Sequence, residues 1–253
     1  NTSAKYNGYF NGNESLKSGI RKLHTNHIDD YTTIISVFPT GNLKKAQKIS
    51  LYMDKAIQKG SIVIQRHSMK IKGREYCRWV DDNYLMVGKS YFYKGDFEEA
   101  IKTFSFIKNE YNKSEIRFQA ALWLIRGYVE KGDFTSAESE LEELLKDRKF
   151  PNKLDKELVV VAADFYVQKK DFALATPELL NATKLIKRKR KKVRLNYILA
   201  QIYQYSNNYS LAQKHYELVL KSNPEYEMAF NAKMNLARSL ESGNTGAKKM
   251  KEK

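Results

Sequence analysis

Four tyrosines recur at nearly constant spacing and mark a repeat in this chain. Steps of 37, 38 and 37 residues separate Tyr91, Tyr128, Tyr166 and Tyr203. An aromatic residue follows each tyrosine six places later, and an alanine follows three places after that. These residues are Phe97, Phe134, Phe172 and Tyr209, then Ala100, Ala137, Ala175 and Ala212. A unit of this length written four times indicates a solenoid, which presents an extended surface and therefore favours a binding protein.

Each unit predicts two amphipathic helices separated by a short break. In the first unit, apolar and small residues recur at helical spacing over 84–91 and again over 97–107. Gly95 can supply the left-handed backbone that ends the first helix, and Asp96 can cap the second helix. Gly88 is small where the two helices would approach closely. Neither helix can bury its apolar stripe alone, so the sequence predicts stacked antiparallel hairpins.

This order of residues resembles the tetratricopeptide repeat: a small residue, a tyrosine, a Gly-Asp turn, an aromatic residue and an alanine. The resemblance covers about residues 81–242 and implies an all-α fold, a right-handed solenoid of antiparallel helical hairpins. The period exceeds the usual ~34 residues. Pro177 falls inside the second helix of the third unit, where it would kink the helix or delay its start.

We expect three parts along the chain. Residues 1–80 form a helical segment of degenerate hairpins, residues 81–242 form four repeats with a closing helix, and residues 243–253 form a basic flexible tail. Within the first part, short helices are expected over 14–23 and 31–38, and a longer helix from Leu43 to about Arg66.

Composition limits the remaining classes. The chain is 42% apolar, which suffices for a folded core, and its single cysteine, Cys77, excludes an internal disulfide. No apolar run approaches the ~18 residues of a membrane span. The chain begins at Asn1 rather than Met, which indicates a processed or trimmed product. The net charge of +16 is concentrated in residues 1–80 and 183–253, so the two ends favour anionic partners.

A second, narrower resemblance lies in four short stretches. They are residues 6–14 (YNGYFNGNE), 27–31 (HIDDY), 65–68 (QRHS) and 75–82 (EYCRWVDD). They resemble the start of the SprE/PorW family, tetratricopeptide proteins of the Bacteroidetes type IX secretion and gliding machinery. This resemblance implies a periplasmic lipoprotein associated with the outer membrane, held by an anchor upstream of Asn1. It also implies partners among other secretion-apparatus proteins or peptide segments.

The first helix of each tetratricopeptide hairpin usually lines the concave face, and this resemblance gives a set of candidate partner-binding positions. Their mixture of polar, charged and apolar groups suits an extended peptide or a partner helix. Phe92, Leu122 and Tyr197 are the expected apolar anchors. The alternative is that these positions pack on adjacent repeats. The set is Asp82, Leu85, Lys89, Phe92, Gln119, Leu122, Arg126, Val129, Glu157, Val160, Asp164, Arg194, Tyr197 and Gln201.

The strongest charge feature is a run of six basic residues between the third and fourth units. It could meet nucleic-acid phosphates, anionic lipid or an acidic partner, or it could be a solvated boundary. The rival function is therefore a nucleic-acid-binding helical-repeat protein that uses its basic ends. No aromatic residue interrupts the run, which argues against base stacking. The run is Lys187, Arg188, Lys189, Arg190, Lys191 and Lys192.

The sequence shows no recognisable catalytic constellation. No glycine-rich phosphate loop and no nucleophile elbow occurs. His24 and His27 lie near Asp29 and Asp30, but this stretch lacks the context of a zinc motif. We therefore predict a non-enzymatic scaffold with no catalytic residues, no metal and no cofactor.

Overall fold

A computed structural model describes residues 8–39, 46–71, 74–77 and 79–251, the last nine by backbone alone. In these ranges the chain forms eleven α-helices and one two-stranded antiparallel ribbon. None of the described helices is both long and apolar enough to cross a bilayer. The helices are α1 (Asn11–Thr25), α2 (Ser50–His67), α3 (Val80–Lys94), α4 (Phe97–Glu110), α5 (Ile116–Lys131), α6 (Phe134–Lys146), α7 (Asp155–Gln168), α8 (Phe172–Leu185), α9 (Lys189–Tyr205), α10 (Tyr209–Lys221) and α11 (Tyr226–Lys251), and the ribbon pairs β1 (Lys70–Ile71) with β2 (Arg74–Glu75).

The chain divides into two compact units. Unit 1 comprises residues 1–28 and 39–154, and unit 2 comprises residues 29–38 and 155–253. Unit 1 holds α1 to α6 and the ribbon, and unit 2 holds α7 to α11. Residues 29–38, hereafter the inserted segment, therefore belong to unit 2 although they lie far from it in sequence. The expected boundary at residue 80 falls inside unit 1.

The helices expected before the repeats are found in part. The helix expected over 14–23 is confirmed as part of α1. The longer helix expected from Leu43 to about Arg66 corresponds to α2, although Leu43 itself lies outside the described residues. The helix expected over 31–38 is wrong, because the inserted segment consists of turns, bends and irregular backbone. The backbone of α11 is helical into the predicted basic tail, as far as Lys251.

One turn closes the first helix of all four hairpins and explains the tyrosine period. In each, the residue five places after the tyrosine donates its N–H to the tyrosine carbonyl, and the residue before this donor has a left-handed φ. This combination is the Schellman C-cap, which satisfies carbonyls at the helix end. The bonds are Asp96 to Tyr91 (3.0 Å), Asp133 to Tyr128 (2.9 Å), Asp171 to Tyr166 (2.9 Å) and Asn208 to Tyr203 (2.8 Å), and the left-handed residues are Gly95 (φ 92°), Gly132 (77°), Lys170 (63°) and Asn207 (58°).

The residue after each left-handed position is the N-cap of the second helix of the hairpin. Asp133, Asp171 and Asn208 each accept an N–H from the residue three places later, as N-caps do. Asp96 makes no such bond, and its carboxylate instead pairs with Lys94 at 3.1 Å, so the predicted side-chain cap is wrong there. Because Asp171 caps α8, the helix starts before Pro177 and runs through it, which excludes the delayed start.

Close helix contact inside unit 1 requires the small residue predicted at Gly88. A Cβ at this position would lie 2.6 Å from Cε1 of the fully buried Phe104 on α4. Ion pairs link the same hairpin to the next one, because Lys108 on α4 contacts Glu140 (2.8 Å) and Glu143 (2.7 Å) on α6. The tetratricopeptide-like hairpins are thus held by both apolar packing and charge.

Candidate functional site

The inserted segment lies against α9 inside unit 2, and this contact is the most specific polar arrangement that the structure describes for the predicted positions. Arg194, Tyr197 and Gln201 project from one face of α9, since residues three, four and seven places apart share a helix face. We call these three residues the α9 face.

Arg194 clamps the segment at two points. Its two terminal nitrogens each donate to a different oxygen of the Asp29 carboxylate, both at 2.6 Å, and its Nε donates to the Ser36 carbonyl at 2.8 Å. The two side chains are only 13% and 12% exposed. A bidentate pair this deeply buried sets geometry as well as charge, unlike an exposed ion pair.

Gln201 contacts the main chain of the segment with both ends of its amide. Its Oε1 accepts the N–H of Ile35 at 3.0 Å, and its Nε2 donates to the carbonyl of Thr33 at 2.7 Å. These groups belong to the backbone, so Gln201 holds the main chain of the segment without regard to side-chain identity. The bonds also satisfy backbone groups that burial would otherwise leave unpaired.

Tyr197 supplies the apolar part of the α9 face. Its ring packs edge-on against Tyr31 at 5.3 Å between centroids and against Tyr216 at 5.6 Å, and Asn235 donates to its hydroxyl at 3.2 Å. Burial, reinforced by the charge of Asp29, raises the pKa of Tyr31 to about 12. The phenol therefore stays neutral against this face at physiological pH.

Two aliphatic side chains of the segment enter the core of unit 2. Ile35 is 3% exposed and Val37 is 6% exposed, and both pack in the same cluster as Tyr197. The residues around Thr32 face solvent instead. There Asp30 accepts the N–H of Thr32 at 3.0 Å and its hydroxyl at 2.6 Å, which lowers the pKa of the Asp30 carboxyl. Both aspartates thus have hydrogen-bond partners, Asp29 on α9 and Asp30 within the segment.

A second cluster of predicted positions forms in unit 1 around Trp123. The guanidinium carbon of Arg126 lies 4.1 Å from the indole centroid and 4.8 Å from the centroid of Phe92, and Nζ of Lys89 lies 5.3 Å from the indole. Burial, followed by the nearby charge of Arg126, lowers the pKa of Lys89 to about 8. Two cations therefore share one aromatic surface, an arrangement stabilised by cation–π attraction.

The other predicted positions lie on the first helices of the hairpins, as expected, but most are not exposed. The three expected anchors, Phe92, Leu122 and Tyr197, are 3%, 4% and 0% exposed. Their burial corrects the expectation that they stand open to a partner, and partner binding by these positions stays a prediction. Leu85, Val129 and Asp164 are also buried, Asp82, Gln119 and Val160 are half-buried, and Glu157 is exposed.

The basic run lies at the beginning of α9. All six side chains, from Lys187 to Lys192, are exposed, and Arg190 pairs with Glu225 at 3.4 Å. Four of the six stand in the first turn of the helix, where the helix dipole is itself positive. The run therefore produces a local excess of positive charge beside the α9 face.

Sequence reasoning missed Trp123 and the residues of the inserted segment. The sequence points to Asp29 only as a neighbour of His24 and His27 and as part of the stretch over 27–31. Nothing periodic links it to Arg194, from which it is separated by 165 residues. The stretch over 27–31 was the one signal that could have pointed to the segment.

Comparison with known proteins supports the repeat assignment. The sequence model of the tetratricopeptide repeat matches residues 81–105 and 193–226. A thermophilic TPR protein of Thermus thermophilus is similar in structure, with a TM-score of 0.51 and 13% identity, over 79% of this chain and 99% of that chain. BtubC (BKLC) of P. vanneervenii is similar with a TM-score of 0.58 and 11% identity, over 88% of this chain and 91% of that chain. A search of curated proteins finds no significant match.

These likenesses show the fold. The chain carries tetratricopeptide repeats, and the predicted all-α fold of helical hairpins is confirmed. Tetratricopeptide domains generally bind protein partners, so the fold suggests a scaffold for protein–protein interaction.

Proposed function

We propose that this protein is a non-enzymatic scaffold that binds partner proteins through the first helices of its hairpins. One observation carries the proposal: Arg194 and Gln201 hold the non-helical inserted segment through three main-chain groups and one carboxylate. This is the chemistry by which repeat proteins can bind a peptide without altering their own helices.

We place the scaffold in the type IX secretion and gliding machinery, at the periplasmic side of the outer membrane. The four family-like stretches support this proposal, and three of them contribute to defined contacts. Asp29 of the second stretch binds Arg194, and Ser68 of the third donates to Glu75 of the fourth at 2.6 Å. The partners would be other proteins or peptide segments of the secretion apparatus, and a lipid anchor upstream of Asn1 would hold the chain at the membrane.

Deletion of the gene in its native host tests this placement. We expect secreted proteins to accumulate inside the cell and the tagged protein to fractionate with the outer membrane. Complementation with the unaltered gene is the control. Unchanged secretion together with recovery of the tagged protein in the cytoplasm would contradict the placement.

The rival nucleic-acid function has a separate test. Binding through Lys187–Lys192 predicts gel shifts with generic nucleic acid that weaken steeply as salt increases. Loss of these gel shifts when all six residues are changed to glutamine would support nucleic-acid binding, and an unaltered chain that gives no gel shift would exclude it.

A further inference from the structure

We infer that the inserted segment is an intramolecular ligand of the α9 face, and that a partner peptide of the same chemistry displaces it. The expected peptide is non-helical and carries an aspartate, then an aromatic residue two places on, then branched aliphatic residues six and eight places on. This inference rests on the proposed function as a partner-binding scaffold, and it names the partner's chemistry and its regulation.

The polar contacts of the segment are those of a bound peptide. Elsewhere in unit 2 the helices hold their backbone groups through their own hydrogen bonds. In the segment, the N–H of Ile35 and the carbonyls of Thr33 and Ser36 are bonded to side chains of α9. A different peptide presents the same N–H and C=O groups, so this part of the interaction can be reproduced by another chain.

Side-chain selection comes from four positions of the segment. The Asp29 carboxylate occupies the fork of Arg194, Tyr31 packs edge-on against Tyr197, and Ile35 and Val37 are buried. Ile35 and Val37 lie two positions apart and enter the same core cluster. The remaining positions near Thr32 are exposed and place no such requirement on a partner.

Charge explains why an acidic peptide would be the occupant. Asp29 binds Arg194, which follows the six exposed cations of the basic run, four of them in the first turn of the same helix. Such a field attracts an acidic segment and speeds its encounter with the α9 face. The side chains of the basic run are exposed to solvent, and on this inference they attract the partner.

The covalent link of the segment to the rest of the chain makes it a competitor. A tethered ligand has an effective concentration of the order of millimolar. A free peptide of equal intrinsic affinity therefore binds the intact chain only weakly. The segment would keep the α9 face closed until a tighter, or itself tethered, partner replaces it.

A peptide-binding measurement on the full chain tests this inference. The probe is a fluorescein-labelled peptide of residues 29–38 (DDYTTIISVF), followed by fluorescence anisotropy. The released variant carries Ile35→Ser and Val37→Ser, and the matched control carries the exposed change Thr32→Ser. We expect the released variant to bind the probe at least about tenfold more tightly than the control or the unaltered chain, because its own segment competes less well.

Two further variants complete the design. A probe with Asp29→Asn should bind the released variant about tenfold more weakly, since it loses a charge-assisted pair. The full-length chain with Asp29→Asn should bind the original probe more tightly than the unaltered chain does, even if the released variant fails to keep its helical circular dichroism.

Three results would overturn the inference. The first is equal probe binding by the unaltered and Asp29→Asn chains. The second is unchanged affinity of the released variant for the Asp29→Asn probe. The third is elution of the unaltered chain as a dimer in gel filtration, as expected if two chains exchange their segments. Each leaves the secretion phenotype of the gene deletion untouched, so failure of this inference is distinguishable from failure of the proposed function.

Discussion

Removing the guanidinium of Arg194 should destabilise unit 2 strongly. The change Arg194→Met keeps the aliphatic stem but leaves the Asp29 carboxylate, only 12% exposed, without its bidentate partner. Breaking a buried pair by removing one partner costs about 3–5 kcal/mol, because the other charge stays desolvated. The Ser36 carbonyl also loses its donor, which adds about 1 kcal/mol. We therefore expect the free energy of unfolding to fall by about 4–6 kcal/mol.

A double-mutant cycle separates the ion pair from the packing. Asp29→Leu combined with Arg194→Met removes both charges, so the double variant should be more stable than Arg194→Met alone by about 2 kcal/mol or more. An exposed change on the same helix, Lys189→Met, serves as the control and should cost less than about 0.5 kcal/mol.

Urea unfolding followed by far-ultraviolet circular dichroism measures these differences. Both tryptophans, Trp79 and Trp123, lie in unit 1, so tryptophan fluorescence reports that unit separately. The reasoning is refuted if Arg194→Met costs less than about 1 kcal/mol, or if the double variant loses the sum of the two single losses.

Three further predictions concern local features. Burial, followed by the charge of Lys214, lowers the pKa of His215 from its usual 6.5. The unfolded chain therefore takes up a proton at this histidine before the folded chain does, so stability should fall as the pH drops below 6.5. Urea midpoints measured against pH should show a smaller decline in His215→Gln. Lys170→Gly should raise the unfolding free energy by about 1 kcal/mol, because Lys170 has a left-handed φ, whereas Gly132→Ala should lower it by a similar amount in denaturant titrations. Lys189→Glu should stabilise by about 0.3–1 kcal/mol at low salt by complementing the dipole of α9, and thermal melts in high salt should show a smaller gain.

The period and the turn chemistry made the hairpins predictable from sequence. Gly95 ends α3 and Asp133 caps α6. Both act on residues no more than five positions away, so their effect is local and can be predicted without knowledge of the tertiary structure. The same holds for Gly88, whose small size predicted the close contact with Phe104. The left-handed Lys170 was less evident, since its position in the repeat, and not its residue type, imposes that backbone.

What the sequence alone determined was therefore the repeating unit: where each helix ends, which residues turn the chain, and which stripe is buried. The tertiary structure decided what covers the α9 face. The resemblance to tetratricopeptide repeats predicts that Tyr197 and Gln201 face outward, yet both are buried, and the inserted segment packs on them. That contact joins residues more than 160 positions apart. Local pattern cannot encode it, because burial depends on which distant segment supplies the complementary carboxylate, backbone and aliphatic groups.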